Sequence, residues 1–112
     1  LIHVTNVFQK HIHRATDDLC RIGGEEFAII LPNTDLEGAF HVAENMRSSL
    51  EASPLEYENE MINLTASAGV STTVIVGEDH AQQLFKFTDE LLYEAKAAGR
   101  NKVIHKQLQE KL

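Results

Sequence analysis

The chain has 112 residues and a formal net charge of −7, with 43% hydrophobic and 24% charged residues. This length suits one domain, and the composition is typical of a globular protein rather than a disordered chain or a coiled coil. The acidic balance argues against nucleic acid and against direct contact with an anionic membrane. Cys20 is the single cysteine, which is typical of a reducing, cytoplasmic compartment.

The predicted elements begin with a helix that is already under way at the first residue, which suggests a chain that starts inside an element. Its apolar face consists of Leu1, Val4, Phe8 and Ile12. A polar loop follows over residues 14–18. Two short apolar runs, 19–22 and 27–31, then flank Gly23-Gly24, which predicts a hairpin. The second run is apolar on both faces, so we expect it to be a central strand.

The next predicted element is a helix over residues 36–52. The cluster Asn33-Thr34-Asp35 supplies its N-cap and Ser53-Pro54 ends it. The inward-facing residues are predicted to be Ala39, Val42, Ala43, Met46 and Leu50. Residues 55–61 are predicted to be a polar connection.

The remaining elements are a strand, a helix and a short strand. Residues 62–76 are rich in β-branched side chains, with Gly69 marking a bulge or a close backbone approach. A helix is predicted over residues 81–98, ended by Gly99 in the left-handed conformation. Its buried stripe is predicted to be Leu84, Phe87, Leu91, Leu92 and Ala95. Residues 103–104 form a last strand, and 106–112 are expected to be a solvated tail.

This order predicts an α+β sandwich in which helices pack on a mainly antiparallel sheet. Residues 1–112 would then be a single, partial domain, since the first helix is already under way at residue 1.

The strongest chemical signal is the run Gly23-Gly24-Glu25-Glu26-Phe27. As an isolated turn, it is more often a tight hairpin with two solvated glutamates. The alternative is functional, because carboxylates beside glycines can hold a divalent metal while a nucleotide lies against the backbone. Adjacent strand residues point to opposite faces, so Glu25 and Glu26 should have different roles.

Together with four further motifs in order, this run resembles the GGDEF family of diguanylate cyclases, in its glutamate variant. The other motifs are Arg14-Ala-Thr-Asp17, Phe27–Pro32, Leu64–Ser71 and Asp89–Asn101. The resemblance covers nearly the whole chain. It implies a nucleotide-cyclase, ferredoxin-like fold with a βαββαβ core, whose first strand is absent from this sequence.

The resemblance also implies an activity, the joining of two GTP into cyclic di-GMP with release of pyrophosphate by a homodimer. Magnesium, or manganese in its place, would be the cofactor. By position, Glu25 would be a metal ligand and proton acceptor, and Glu26 would support the metal or the ribose. Gly23 and Gly24 would let GTP approach the hairpin.

Two pairs of charged residues allow both a structural and a functional interpretation. Lys96 and Arg100 can simply be cations at a helix C-terminus, worth about 0.3–1 kcal/mol. The resemblance implies instead that they hold the β- and γ-phosphates. Arg14 and Asp17 can be a surface ion pair worth about 0–1 kcal/mol. The resemblance implies instead an inhibitory site for the product cyclic di-GMP.

Three functions therefore remain open: an active cyclase, a degenerate domain that serves as a cyclic di-GMP receptor, and a dimerisation module. The intact signature favours the first. The family's upstream segments carry a metal aspartate and the guanine-reading residues, and both are missing from this sequence. We therefore expect the 112 residues alone to be inactive. The domain would be cytoplasmic. This also holds if it is the output domain of a larger sensor that is anchored in the membrane.

Overall fold

The computed structural model describes the backbone of residues 18–23, 26–74 and 76–108, and the side chains from residue 28 onward in those ranges. The elements in chain order are β1 Asp18–Gly23, β2 Glu26–Ile30, α1 Leu36–Glu51, β3 Leu55–Tyr57, β4 Glu60–Ile62, β5 Ala68–Val70, α2 Glu78–Ala97 and β6 Val103–His105. The predicted N-terminal helix lies outside the described residues.

The predicted hairpin is confirmed by the antiparallel pair of β1 and β2. Cys20 pairs with Ala28, and the register shifts between Arg21 and Gly23, which marks an irregularity of the bulge type. The prediction of a central strand is wrong for the described part of the sheet. There β2 pairs with β1 alone, and the side chain of Ile30 is 58% exposed.

Helix α1 follows the prediction closely. The Asp35 carboxylate accepts a hydrogen bond from the Gly38 amide at 2.8 Å, which satisfies one unpaired donor of the first turn. The helix ends one residue earlier than predicted, at Glu51. Its face buries Met46 and Leu50 almost completely. These two side chains form a core cluster packed against Ile29, Val42, Leu64 and Ala66.

The predicted polar connection over residues 55–61 is wrong, because the chain forms a second antiparallel hairpin there. Strands β3 and β4 pair with Tyr57 opposite Glu60. The two residues between them, Glu58 and Asn59, have φ of 50° and 67°. Positive φ at both central positions matches the twist of a two-residue hairpin. Glutamate rarely adopts that conformation, so the sequence did not predict a turn at this position.

The strand predicted over residues 62–76 is much shorter, since only Ala68–Val70 forms β5. It pairs in parallel with β6, with Gly69 opposite Ile104. The contact continues past β6, because the Lys106 amide donates to the Val70 carbonyl at 3.0 Å and the Leu108 amide to the Thr72 carbonyl at 3.2 Å. Residues 106–108 therefore stay alongside the chain after β5.

Helix α2 begins three residues earlier than predicted. Glu78 and Asp79 occupy its first turn, where negative charge is favourable. Leu91 and Ala95 of the predicted stripe are buried. The other three residues of the stripe, Leu84, Phe87 and Leu92, are half-buried.

The close approach predicted at Gly69 is confirmed. A Cβ atom there would lie 2.4 Å from the Thr88 carbonyl oxygen and from the Leu92 nitrogen, both in the backbone of α2. Both helices contact β5 and β6. Two of the three described strand pairs are antiparallel, so the α+β, mainly antiparallel architecture is confirmed. Within the described ranges, no helix is long and apolar enough to cross a membrane.

Candidate functional site

The end of α2 carries the two predicted phosphate ligands, Lys96 and Arg100. Gly99 has φ of 115° and reverses the chain, as predicted. The Arg100 amide donates to the Ala95 carbonyl at 3.0 Å, and the Gly99 amide donates to the Lys96 carbonyl at 3.4 Å. These two bonds are those of a Schellman motif, which satisfies carbonyls at the helix terminus. Lys96 lies in the last turn of the helix and Arg100 in the turn that closes it.

The left-handed backbone continues beyond the glycine. Arg100 and Asn101 have φ of 64° and 49°. Residues other than glycine rarely adopt this region of backbone conformation, and asparagine tolerates it better than most of them. We use the name GRN turn for Gly99-Arg100-Asn101. Three successive residues with positive φ make its shape specific and require support from elsewhere in the fold.

Asn101 provides that support by joining the GRN turn to two other parts of the chain. Its amide N–H donates to Ser67 Oγ at 3.0 Å, just before β5. Its side-chain Oδ1 accepts from Arg47 Nη1 at 2.9 Å, and its Nδ2 donates to Glu51 Oε2, both in α1. The turn is therefore tied to the helix that carries the core cluster.

Arg47 is held in place by the carboxylate one turn before it. Its Nε donates to Glu44 Oε1 at 2.9 Å, and its Nη2 contacts the same oxygen. The hydrogen bond from Arg47, together with its positive charge, lowers the pKa of Glu44 below the ordinary value of 4.5. The Arg47 side chain is only 17% exposed.

The GRN turn and the last turn of α2 present positive charge at the surface. Arg100 is exposed and Lys96 is half-buried. An open cleft of about 140 Å³ borders Lys96 and is also lined by Asp89, Leu92 and Tyr93. Lys96 beside the cleft and Arg100 in the turn that follows the helix are two cations of the kind that bind a group with several anionic oxygens.

The other predicted site residues fall largely outside the described part of the chain. Gly23 ends β1 and Glu26 begins β2, so both lie where the hairpin reverses. Gly24, Glu25, Arg14 and Asp17 lie outside the described residues, and so does the side chain of Glu26. The side chains that the structure describes include no group of three His, Cys, Asp or Glu that could hold a metal ion. The metal role of Glu25 and Glu26 therefore stays a prediction.

Arg47 is the residue of this site that sequence reasoning missed. Glu44 and Glu51 lie three and four residues from it, and such spacing is typical of ordinary surface ion pairs on a helix. Asn101 carried a clearer signal, since asparagine after glycine at a helix end favours left-handed backbone.

Comparisons with known proteins give one consistent result. A family model described as "Diguanylate cyclase, GGDEF domain" matches residues 1–102. The response regulator PleD of Caulobacter vibrioides is 46% identical over 95 residues, which are 83% of this chain and 21% of that protein. This chain thus spans about a fifth of the length of that curated relative.

Two solved structures are similar over nearly the whole chain. The active GGEEF domain of a diguanylate cyclase from Vibrio cholerae has a TM-score of 0.80 at 36% identity, covering 97% of this chain and 67% of that one. The GGDEF domain of DgcB from Caulobacter crescentus, in complex with c-di-GMP, has a TM-score of 0.81 at 26% identity, covering 92% and 60%. The predicted ferredoxin-like architecture is confirmed by these similarities.

Proposed function

Because this chain belongs to the GGDEF family of diguanylate cyclase domains, we propose that the full-length protein that contains it condenses two GTP into cyclic di-GMP and releases pyrophosphate. One observation carries the proposal. The run Gly23–Phe27 is an intact GGEEF signature within a chain that resembles an active GGEEF domain over 97% of its length. A degenerate receptor or a dimerisation module would not need that signature intact.

In the proposed reaction the 3′-hydroxyl of each GTP attacks the α-phosphate of the other. Two phosphodiester bonds form, two bonds to the leaving pyrophosphates break, and the two hydroxyl protons are released. Each domain holds one GTP, so the reaction needs two domains facing each other in a homodimer. The leaving group carries the negative charge that develops, and protein cations that bind it therefore stabilise the transition state.

Lys96 and Arg100 are the residues proposed to hold the β- and γ-phosphates. The half-buried lysine supplies a compact charge beside the cleft, and the exposed arginine supplies a planar fork with several donors. Magnesium, or manganese in its place, is the proposed cofactor, with Glu25 and Glu26 as ligands. It would neutralise phosphate charge and activate the attacking hydroxyl.

The direct experiment is an assay of the full-length protein with GTP and magnesium, following pyrophosphate and cyclic di-GMP. We expect Lys96→Ala and Arg100→Ala each to lower kcat/KM about 10- to 100-fold, the equivalent of a lost charge-assisted hydrogen bond. Lys86→Ala is the matched control, since Lys86 is an exposed cation on the same helix. Losses no larger than that of the control would contradict the phosphate assignment.

The polypeptide of residues 1–112 alone is proposed to be inactive in the same assay. The family's metal aspartate and guanine-reading residues belong to upstream segments that these residues do not include. Cyclic di-GMP formation by the 112-residue polypeptide would contradict this point. If the full-length protein also releases no pyrophosphate at any concentration that favours a dimer, the receptor function replaces the cyclase.

Arg14 and Asp17 are proposed to form a product-inhibition site. The arginine would bind a guanine edge or a phosphate of cyclic di-GMP, and the aspartate would accept from guanine. The structure of the related DgcB domain in complex with c-di-GMP supports binding of that ligand in this family. Titration calorimetry with cyclic di-GMP tests it: unchanged affinity in Arg14→Ala would rule the site out.

A further inference from the structure

The GRN turn holds its middle residue, Arg100, in a backbone conformation that arginine does not favour. Arg100 is a long side chain at φ of 64°, directly after Gly99 and before Asn101, which also have positive φ. A residue other than glycine in this region costs of order 1–3 kcal/mol and persists where surrounding contacts determine it. The Schellman bonds fix the Arg100 amide. They do not determine the φ of Asn101 or the direction in which the chain leaves the turn.

The contacts that determine the rest converge on Asn101. Its backbone is bound to Ser67 and its side chain to α1, so both ends of the residue are fixed. The side-chain bonds have a defined polarity. Oδ1 faces the guanidinium of Arg47, and Nδ2 faces the carboxylate of Glu51. A flipped amide would place an oxygen against a carboxylate, which is unfavourable.

Arg47 supplies the charged donor that fixes the orientation of the Asn101 amide. Two of its nitrogens are engaged by Glu44, and Nη1 is directed to Asn101 across 54 residues of sequence. Its side chain is 17% exposed, compared with 50% for Glu51. Without Arg47, Asn101 Oδ1 would lose its charged donor, and Glu44 and Glu51 would both lose the cation with which they form ion pairs.

We propose that Arg47 is a positioning residue for GTP binding, which holds Arg100 in place by fixing Asn101 and with it the GRN turn. This inference rests on the proposed function, because it takes Arg100 to be a phosphate ligand. Arg47 itself is 17% exposed, bonded to Glu44 and Asn101, and touches no phosphate in this scheme. Its effect on the nucleotide passes through Asn101 to Arg100.

The experiment is a double-mutant cycle in the full-length protein, with KM and kcat for GTP and the affinity for a non-hydrolysable GTP analogue measured by calorimetry. Arg47→Met removes the charge and keeps the aliphatic stem. We expect it to weaken analogue binding and raise KM about tenfold, while kcat changes less. In an Arg100→Ala background, Arg47→Met should have almost no further effect on either quantity.

Lys106→Met is the matched control, since it removes a cation from the exposed Lys106–Glu94 ion pair, which includes no residue of the GRN turn. Arg47→Lys should recover only part of the affinity, because a compact ammonium lacks the rigid planar fork whose Nε, Nη1 and Nη2 reach Glu44 and Asn101 together. Thermal unfolding of each variant shows whether a loss of affinity comes from misfolding of the protein or from displacement of the GRN turn.

Three results overturn the inference. They are an unchanged KM in Arg47→Met, an equal loss in both backgrounds, or an equal loss in Lys106→Met. If Arg100→Ala lowers GTP affinity but Arg47→Met does not, the inference fails while the phosphate assignment stands. If Arg100→Ala binds GTP normally, both fail.

Discussion

Replacement of Gly69 by alanine tests the packing that positions the candidate site. The new Cβ would lie 2.4 Å from the Thr88 carbonyl oxygen and the Leu92 nitrogen, and 2.9 Å from the Leu91 carbonyl carbon. All three atoms belong to the backbone of α2, so none can move aside by a change of rotamer. Strand and helix would have to separate by about 1 Å to reach ordinary van der Waals contact.

The expected cost follows from that geometry. Overpacking of this kind costs about 3 kcal/mol, and the lower chain entropy of alanine in the unfolded state offsets about 0.5–1 kcal/mol. We therefore expect Gly69→Ala to lower the free energy of unfolding by about 2 kcal/mol. For a domain of this size, the Tm should fall by about 8 °C.

Urea denaturation followed by circular dichroism measures this change. Gly77→Ala is the matched control, because a Cβ at Gly77 meets nothing within 4 Å and the φ of 179° suits any residue. We expect the control to change stability by less than about 1 kcal/mol, since a weaker N-cap and a less flexible unfolded chain offset each other. If the two variants are equally stable, the close approach of β5 and α2 does not have the energetic role argued for it.

Two further predictions concern α1. Asp35→Ala should lower the free energy of unfolding by about 1 kcal/mol, because the Gly38 amide loses its 2.8 Å acceptor, while Asp35→Asn should keep most of that stability; equal losses in denaturant melts would contradict the capping role. The lowered pKa of Glu44 makes the stability of the fold depend on pH. The bond from Arg47 to the Glu44 carboxylate contributes fully above the pKa of the unfolded state, near 4.5, and this contribution is lost as the pH falls through the lower pKa of the folded state. The stability difference between the wild type and Glu44→Gln should therefore be largest near pH 6–7 and shrink below about pH 4, and a difference that stays constant in urea melts from pH 3 to 7 would refute it.

Local signals predicted much of the fold because they act within a few residues. Asp35 caps α1 three residues away, and Gly99 ends α2 with bonds to its own last turn. The hairpin of β1 and β2 follows from two apolar runs around adjacent glycines. In each case the interaction that decides the structure lies inside the sequence window that predicts it.

The errors arose where pairing or an unusual residue decided the outcome. The β-branched stretch of residues 62–76 has the propensity of one long strand, but only Ala68–Val70 pairs with β6, and Ile62 pairs in β4. The turn at Glu58-Asn59 was missed because glutamate rarely takes positive φ. Strand length depends on the partner that is present, which propensity alone does not encode.

The sequence by itself determined the family, through the GGEEF signature and the ordered motifs, and it identified Lys96 and Arg100 as candidate ligands. Tertiary structure decided how the end of α2 is held. Arg47 and Asn101 are 54 residues apart, and their pairing depends on α1 and the GRN turn packing side by side. The need for glycine at position 69 likewise depends on tertiary structure, because β5 lies against the backbone of α2 there. Contacts at such separations follow from the packing of whole elements, and no local window of sequence contains both partners.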